Sequence, residues 1–249
     1  MRLSLALGAA ITFLFPRPSP APPGVPALIR QFERTYNSAK SLRTNFLETY
    51  FDNGKKVRSE AGIAYFSKPG KMRWEYASPE PNLYVVDGKW SWFYVPADHT
   101  VTRIRAKQSS DARTPLALLA GEMKVSRLCK RVDAESASGP ADPRGVVLRC
   151  ILRGDEEIAP TGPAAQAIAP SFRSPYALFE LNPENGQLLR ILVVDSGGTQ
   201  VEFRFSNWVF DPPLDEARFH FLAPKGVAII DGNLGDGPIS TVQRRAEQP

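Results

Sequence analysis

The spacing of hydrophobic residues changes early in the chain. Between Pro26 and Lys40, Leu28, Ile29, Phe32, Tyr36 and Ala39 fall on one helical face, with Arg30, Glu33, Arg34 and Asn37 on the other. This spacing predicts an amphipathic helix whose apolar side needs a partner surface. Pro26 suits its first turn, where the missing N–H is not needed. From Thr44 onward the period becomes two. Val57, Ser59, Ala61, Ile63 and Tyr65 alternate with Arg58, Glu60, Gly62, Ala64 and Phe66. Met72, Trp74 and Tyr76 alternate with Lys71, Arg73 and Glu75, and Val201, Phe203 and Phe205 with Gln200, Glu202, Arg204 and Ser206. Alternation of this kind marks strands with two unlike faces.

Turn pairs at Asn53-Gly54, Pro69-Gly70, Asp87-Gly88, Asn185-Gly186 and Gly197-Gly198 separate the runs. Such short connections make antiparallel neighbours. About ten or eleven strands are expected, as in a sandwich or barrel. One interruption, Thr114 to Gly121, reads as a short helix. Thr114 is its N-cap, Pro115 its first residue and Gly121 its stop, with Leu116 and Leu119 on one face. A helix this short must pack on something to persist.

The chain starts Met1-Arg2, followed by an apolar run from Leu3 to Phe15 and a proline-rich stretch to Pro26. That is a signal-peptide pattern, too short to span a bilayer stably. We expect a signal segment and linker over 1–25, one domain over 26–231, and a polar, disordered tail over 232–249. No cysteine follows the apolar run, so a soluble protein without a lipid anchor is expected after export. Residues 155–175, rich in Ala and Pro, should form a long exposed loop. The two cysteines, Cys129 and Cys150, flank the turn residues Gly139, Pro140, Asp142 and Pro143 at nearly equal distance. A hairpin would set them opposite one another, and an exported protein would oxidise them to a disulfide.

The net charge of +5 is spread along the whole chain. With no zinc-finger spacing and no RNA-recognition signature, nucleic acid is not an expected partner. The histidines, His99 and His220, lie far apart without Cys or Glu at ligand spacing, so neither a metal nor another cofactor is expected. A nucleophile elbow and a phosphate loop are both missing from the sequence, and enzyme activity is not expected.

Several runs, taken in order, resemble the outer-membrane lipoprotein carrier (LolA-like) family. They are Ser41-Leu42-Arg43-Thr44-Asn45-Phe46, Lys68-Pro69-Gly70-Lys71-Met72-Arg73-Trp74-Glu75-Tyr76, Val86-Asp87-Gly88-Lys89, Trp92-Phe93-Tyr94-Val95-Pro96, Thr114–Ala120, and Phe219-His220-Phe221-Leu222-Ala223-Pro224 with Lys225-Gly226-Val227. The resemblance implies a mainly β fold, an unclosed antiparallel barrel capped by a helical lid. It implies a periplasmic carrier of acylated lipoproteins, working between an inner-membrane lipoprotein-releasing transporter and an outer-membrane acceptor, and we expect a monomer. LolA-like domains also serve as sensors of mislocalised lipoproteins, and a carrier of other lipids such as glycolipids is a further alternative.

The chain departs from that pattern at three positions. Lys68 stands where enterobacterial carriers have an Arg that hydrogen-bonds the lid, which leaves Lys68 or Arg73 as the latch. Met72 replaces a cavity aromatic, and Glu48 a familiar Gln. The expected cavity or lid residues are Leu28, Phe32, Tyr36, Phe46, Met72, Trp74, Trp92, Pro115, Leu116 and Leu119. Leu28, Phe32, Leu116 and Leu119 are candidates to fill the cavity when it is empty. Shielding about ten methylenes is worth on the order of 8 kcal/mol, so self-packing of this kind would ease release.

Overall fold

A computed structural model describes residues 23–106, 114–121, 124–153, 175–195 and 199–232. The expected signal segment, most of the expected loop over 155–175, the Gly197-Gly198 pair and the expected tail from 233 lie outside the described residues.

Helix α1, Val25–Ser38, is followed by β1 (Ser41–Asp52), β2 (Lys55–Ser67), β3 (Lys71–Ser78), β4 (Leu83–Val86), β5 (Trp90–Val95) and β6 (Thr100–Arg105). A 3-10 helix, Thr114–Leu118, and a one-turn helix α2, Val125–Leu128, lead into β7 (Cys129–Ala134) and β8 (Val146–Leu152). Then come β9 (Tyr176–Leu181), β10 (Leu188–Val194), β11 (Gln200–Phe210) and β12 (Ala228–Asp231).

All twelve strands form one sheet, in the order β12-β6-β5-β4-β3-β2-β1-β11-β10-β9-β8-β7. Every pairing is antiparallel except β12 on β6, which is parallel. The first and last strands do not pair, so the sheet is unclosed. The count exceeds the expected ten or eleven. Residues Ala228–Asp231 lack alternation and are exposed throughout, yet they pair with β6 after the chain has crossed the sheet.

Local chemistry accounts for the corners. Asn53 and Gly54 both have positive φ, 48° and 74°, which a two-residue hairpin of this twist needs. Helix α1 stops at Ser38, short of the expected Lys40, because Ala39 is already extended. The main-chain N–H groups of Lys40 and Ser41 donate to Asp211 Oδ1 at 2.6 and 3.4 Å, which fixes the entry to β1. Gly62 permits a close approach of β2 to β3: a Cβ there would sit 1.9 Å from the Glu75 carbonyl oxygen.

The two faces of the sheet are covered differently. Helix α1 and the 3-10 helix pack on the inner face, among Phe46, Phe66, Trp74, Phe203 and Phe205. Across the outer face of β2–β6 runs the segment after β11. There Phe219 is buried, the Arg218 guanidinium lies 4.5 Å from the Tyr65 ring centroid, and the Phe221 ring stands 5.4 Å from Trp92. This cover explains why Tyr65, Val85 and Val101, which point outward, are also buried.

The structure joins Cys129 and Cys150 in a disulfide with Cα atoms 5.4 Å apart. They are not directly opposite, as equal spacing from the turn had suggested. Cys150 pairs with Val132 and Cys129 with Leu152, because a register shift between Cys129 and Arg131 skews the hairpin. Replacing both cysteines by serine should lower unfolding free energy by about 3 kcal/mol, given the length of chain the bridge closes. Urea denaturation of the double variant measures this, and an unchanged midpoint would mean that the bridge does not form.

Candidate functional site

On the inner face, helices, apolar side chains and a few well-placed polar groups converge. Helix α1 buries Leu28, Phe32 and Tyr36 there. The Tyr36 ring lies 5.0 Å from Phe32, 5.3 Å from Trp208 and 5.7 Å from Phe210. Its hydroxyl accepts the Leu188 N–H at 2.8 Å. Burial pushes the Tyr36 phenol far above its usual pKa, against the opposing effect of that bond, so it stays neutral.

Few polar contacts tie the helix down. Gln31 Nε2 donates to Glu184 O at 2.8 Å, and Thr35 Oγ1 to Asn185 O at 2.7 Å. The Val125 N–H donates to Glu33 Oε1 at 3.1 Å. Gly186, at φ +72°, lets the β9–β10 turn press against the helix; a Cβ there would meet the Gln31 backbone at 2.9 Å.

The 3-10 helix buries Pro115, Leu116 and Leu119 beside α1. Gly121, at φ +74°, ends it, and the Gly70 N–H donates to Ala120 O at 3.0 Å. Lys68 joins the two helical pieces. Its Nζ donates to the Tyr36 carbonyl at 2.6 Å, one of the last carbonyls of α1, which lack partners within the helix. A cation also complements the dipole at this end. The stem of Lys68 runs past Gly121, where a Cβ would come within 2.8 Å of Lys68 Cδ.

Burial lowers the Lys68 pKa and Asp211 partly offsets it. A lysine whose folded pKa is depressed binds fewer protons than in the unfolded chain, so its contribution to stability rises with pH in the window just below its ordinary value of 10.5. Lys68→Met should loosen α1 by about 1 kcal/mol, read as faster amide exchange in α1, and should remove that alkaline increment. Unchanged exchange would show that the contact holds nothing.

Beneath the helices lies an aromatic floor. Phe46 stands 4.7 Å from Trp74 and 5.0 Å from Tyr76, and Trp74 stands 5.5 Å from Phe203. Met72 is buried on the same face. Glu48 is fully buried here too, with Oε1 accepting the Tyr50 hydroxyl at 2.5 Å and Oε2 the Tyr76 hydroxyl at 2.6 Å. Between α1 and β7–β9 remains a small apolar gap of about 20 Å³, lined by Ile29, Phe32, Val132, Leu148, Phe179 and the disulfide among others. Among the described residues, Leu28, Phe32, Leu116 and Leu119 are buried on the inner face.

The structure thus brings together Leu28, Phe32, Tyr36, Phe46, Lys68, Met72, Trp74, Pro115, Leu116 and Leu119. Arg73 and Trp92 do not join them. Arg73 faces outward, with Nε donating to Glu75 Oε1 at 2.6 Å and Nη1 to Arg218 O at 3.0 Å. The Pro69-Gly70 turn does not reset the register: Arg73 takes the face opposite Met72 and Trp74. Trp92 shares that outer face because it pairs with Val85 and Arg103, and Val85 pairs with Arg73. Its Nε1 donates to Asp87 Oδ2 at 2.9 Å. Phe93 is the inward residue of that strand, 6.5 Å from Tyr76. Phe179 and Trp208 were also missed. Phe179 sits in a strand buried on both faces, where alternation vanishes. No group of His, Cys, Asp or Glu suited to a metal occurs among the described residues.

A family model described as "Outer membrane lipoprotein carrier protein LolA" matches residues 37–139. An outer-membrane lipoprotein carrier protein from Chromobacterium violaceum is 28% identical over 213 residues, covering 86% of this chain and 92% of its own length. Over residues 37–139 the chain is similar to the LolA family. Another outer-membrane lipoprotein carrier protein, from Nitrosomonas europaea, is 29% identical over 204 residues, covering 81% of this chain and 88% of its own. A solved LolA superfamily protein from the same organism overlaps 80% of this chain and 98% of its own, at 10% identity and a TM-score of 0.40. The LolA match takes in Lys68, the aromatic floor of β1–β3, the 3-10 helix and Cys129. Most of α1 and all of β8–β12 lie beyond it. No helix among the described residues is long and apolar enough to cross a membrane.

Proposed function

We propose that this chain is a LolA-type periplasmic carrier that takes the acyl chains of lipoproteins onto the inner face of its sheet when α1 and the 3-10 helix move aside. The observation that carries this reading is the plug itself: the inner face is filled by the chain's own Leu28, Phe32, Leu116 and Leu119. The plug is tied down by hydrogen bonds that Gln31, Thr35 and Lys68 donate and that Glu33 accepts. Hydrocarbon in water is disfavoured by about 0.8 kcal/mol per methylene. A ligand chain that replaces the plug gains only the difference between its own burial and that of the displaced leucines. Net affinity therefore stays low enough for hand-over, from an inner-membrane releasing transporter to an outer-membrane acceptor. No catalytic step enters this cycle.

Native mass spectrometry of the protein drawn from its own cell envelope tests the proposal. The expected result is a monomer carrying triacylated lipoprotein. Co-purified glycolipid would move the cargo to another lipid class, and a chain that never carries lipid would refute the reading.

A further inference from the structure

Four cations stand together on this protein with no ion pair to any described residue. Lys124, Arg127 and Lys130 are exposed on α2 and the start of β7. Arg153, at the end of β8, folds against the same turn, with its main-chain N–H on Leu128 O at 2.9 Å and its Nε on Ser126 O at 3.3 Å. None of the four makes an ion pair among the described residues. Among the described residues the nearby acids are engaged elsewhere: Asp133 with Arg131, Glu135 with Arg149, and Glu33 with the Val125 N–H.

The same stretch borders the apolar gap. Val125, Cys129 and Val132 line it, interleaved along the chain with those cations. Of the lining residues, only Ile29 and Val132 are partly exposed, so the mouth opens between α1 and β7. Strand β7 ends the sheet. Cationic side chains and an apolar opening therefore share one edge of the molecule.

We propose that this edge is a docking face for an anionic lipid bilayer. Exposed Lys and Arg side chains reach a plane of phosphates without needing any fixed geometry. The opening between α1 and β7 then faces the interfacial layer. Each such cation raises partitioning onto an anionic surface roughly fivefold, and salt screens the effect. This goes beyond the carrier reading and does not depend on cargo, because docking is measured on unloaded protein.

The test is co-sedimentation of the full chain with vesicles of phosphatidylcholine alone and with about a third phosphatidylglycerol, at low and at physiological salt. The readout is the excess bound to the anionic vesicles, since any apolar segment binds both kinds alike. Wild type should show a clear excess that salt diminishes. The triple variant Lys124→Gln/Arg127→Gln/Lys130→Gln should lose about a hundredfold of it, with an unchanged thermal midpoint. The pair Lys55→Gln/Lys56→Gln, on the exposed β1–β2 hairpin, should lose far less. No excess for wild type, or an equal loss in both variants, overturns the proposal. Retention on immobilised polyglutamate without vesicle binding also overturns it and assigns the face to an acidic protein.

Discussion

Replacing Arg190 with methionine is expected to lower the free energy of unfolding by about 3–5 kcal/mol, the usual consequence of removing one partner from a buried ionic group. Arg190 lies on the outer face of β10, with Nε donating to Glu180 Oε2 at 2.6 Å and Nη1 to Glu202 Oε2 at 3.1 Å. Glu180 is fully buried, and Glu202 is 7% exposed. Burial works against the Arg190 charge, but the bonds to the two carboxylates outweigh it and hold the guanidinium pKa above its ordinary value.

Without Arg190, both acids lose their shared cation while remaining out of water. Glu202 keeps Arg204 at 2.7 Å, and Glu180 keeps the N–H groups of Ala141 and Asp142 at 3.0 and 2.6 Å. The larger penalty should therefore fall on Glu180 and on the β7–β8 loop it anchors. Gly145 is where that loop presses closest; a Cβ there would meet Glu180 Oε1 at 2.5 Å. Adding Glu180→Gln and Glu202→Gln to the Arg190 variant should recover much of the loss, since amides carry no charge to strand. Urea denaturation separates these outcomes. A loss below about 1 kcal/mol in the single variant would mean that the trio behaves like a surface ion pair.

Leu116→Glu carries the second large effect. Leu116 is 1% exposed on the inner face. An unpaired carboxylate there would cost several kcal/mol, and the easiest escape is for the 3-10 helix to lift. That helix is tied by the Gly70 N–H to Ala120 O bond and by contact with Lys68, both weaker than the sheet's ladders. The expected variant keeps its β-sheet circular dichroism, binds a hydrophobic dye, and loads acylated lipoprotein at least about tenfold less than wild type. Wild-type loading would remove the 3-10 helix from the mechanism.

Much of the architecture was legible in residue periodicity. The helix of residues 25–38 and most strands follow directly from spacing, because each has one face against the core. Inward and outward faces were harder to assign. Trp92 and Phe93 are adjacent aromatics, and nothing local says which one turns inward; the pairing of β5 with β4 decides it. Arg73, between Met72 and Trp74, follows plain alternation onto the opposite face. The cover on the outer face was also hidden, since Phe219 and Phe221 come from a segment without period, and their burial depends on a path across five strands. The Glu180–Arg190–Glu202 cluster joins three strands, so no single stretch of sequence announces it.

The two ends of the ladder, β7 and β12, never meet. A cylinder stitched all the way round would have to sever a complete row of main-chain bonds before its girth could change. This split ring needs to sever none. On the proposed carrier reading, its two edges can part for an acyl chain with every existing strand pair intact.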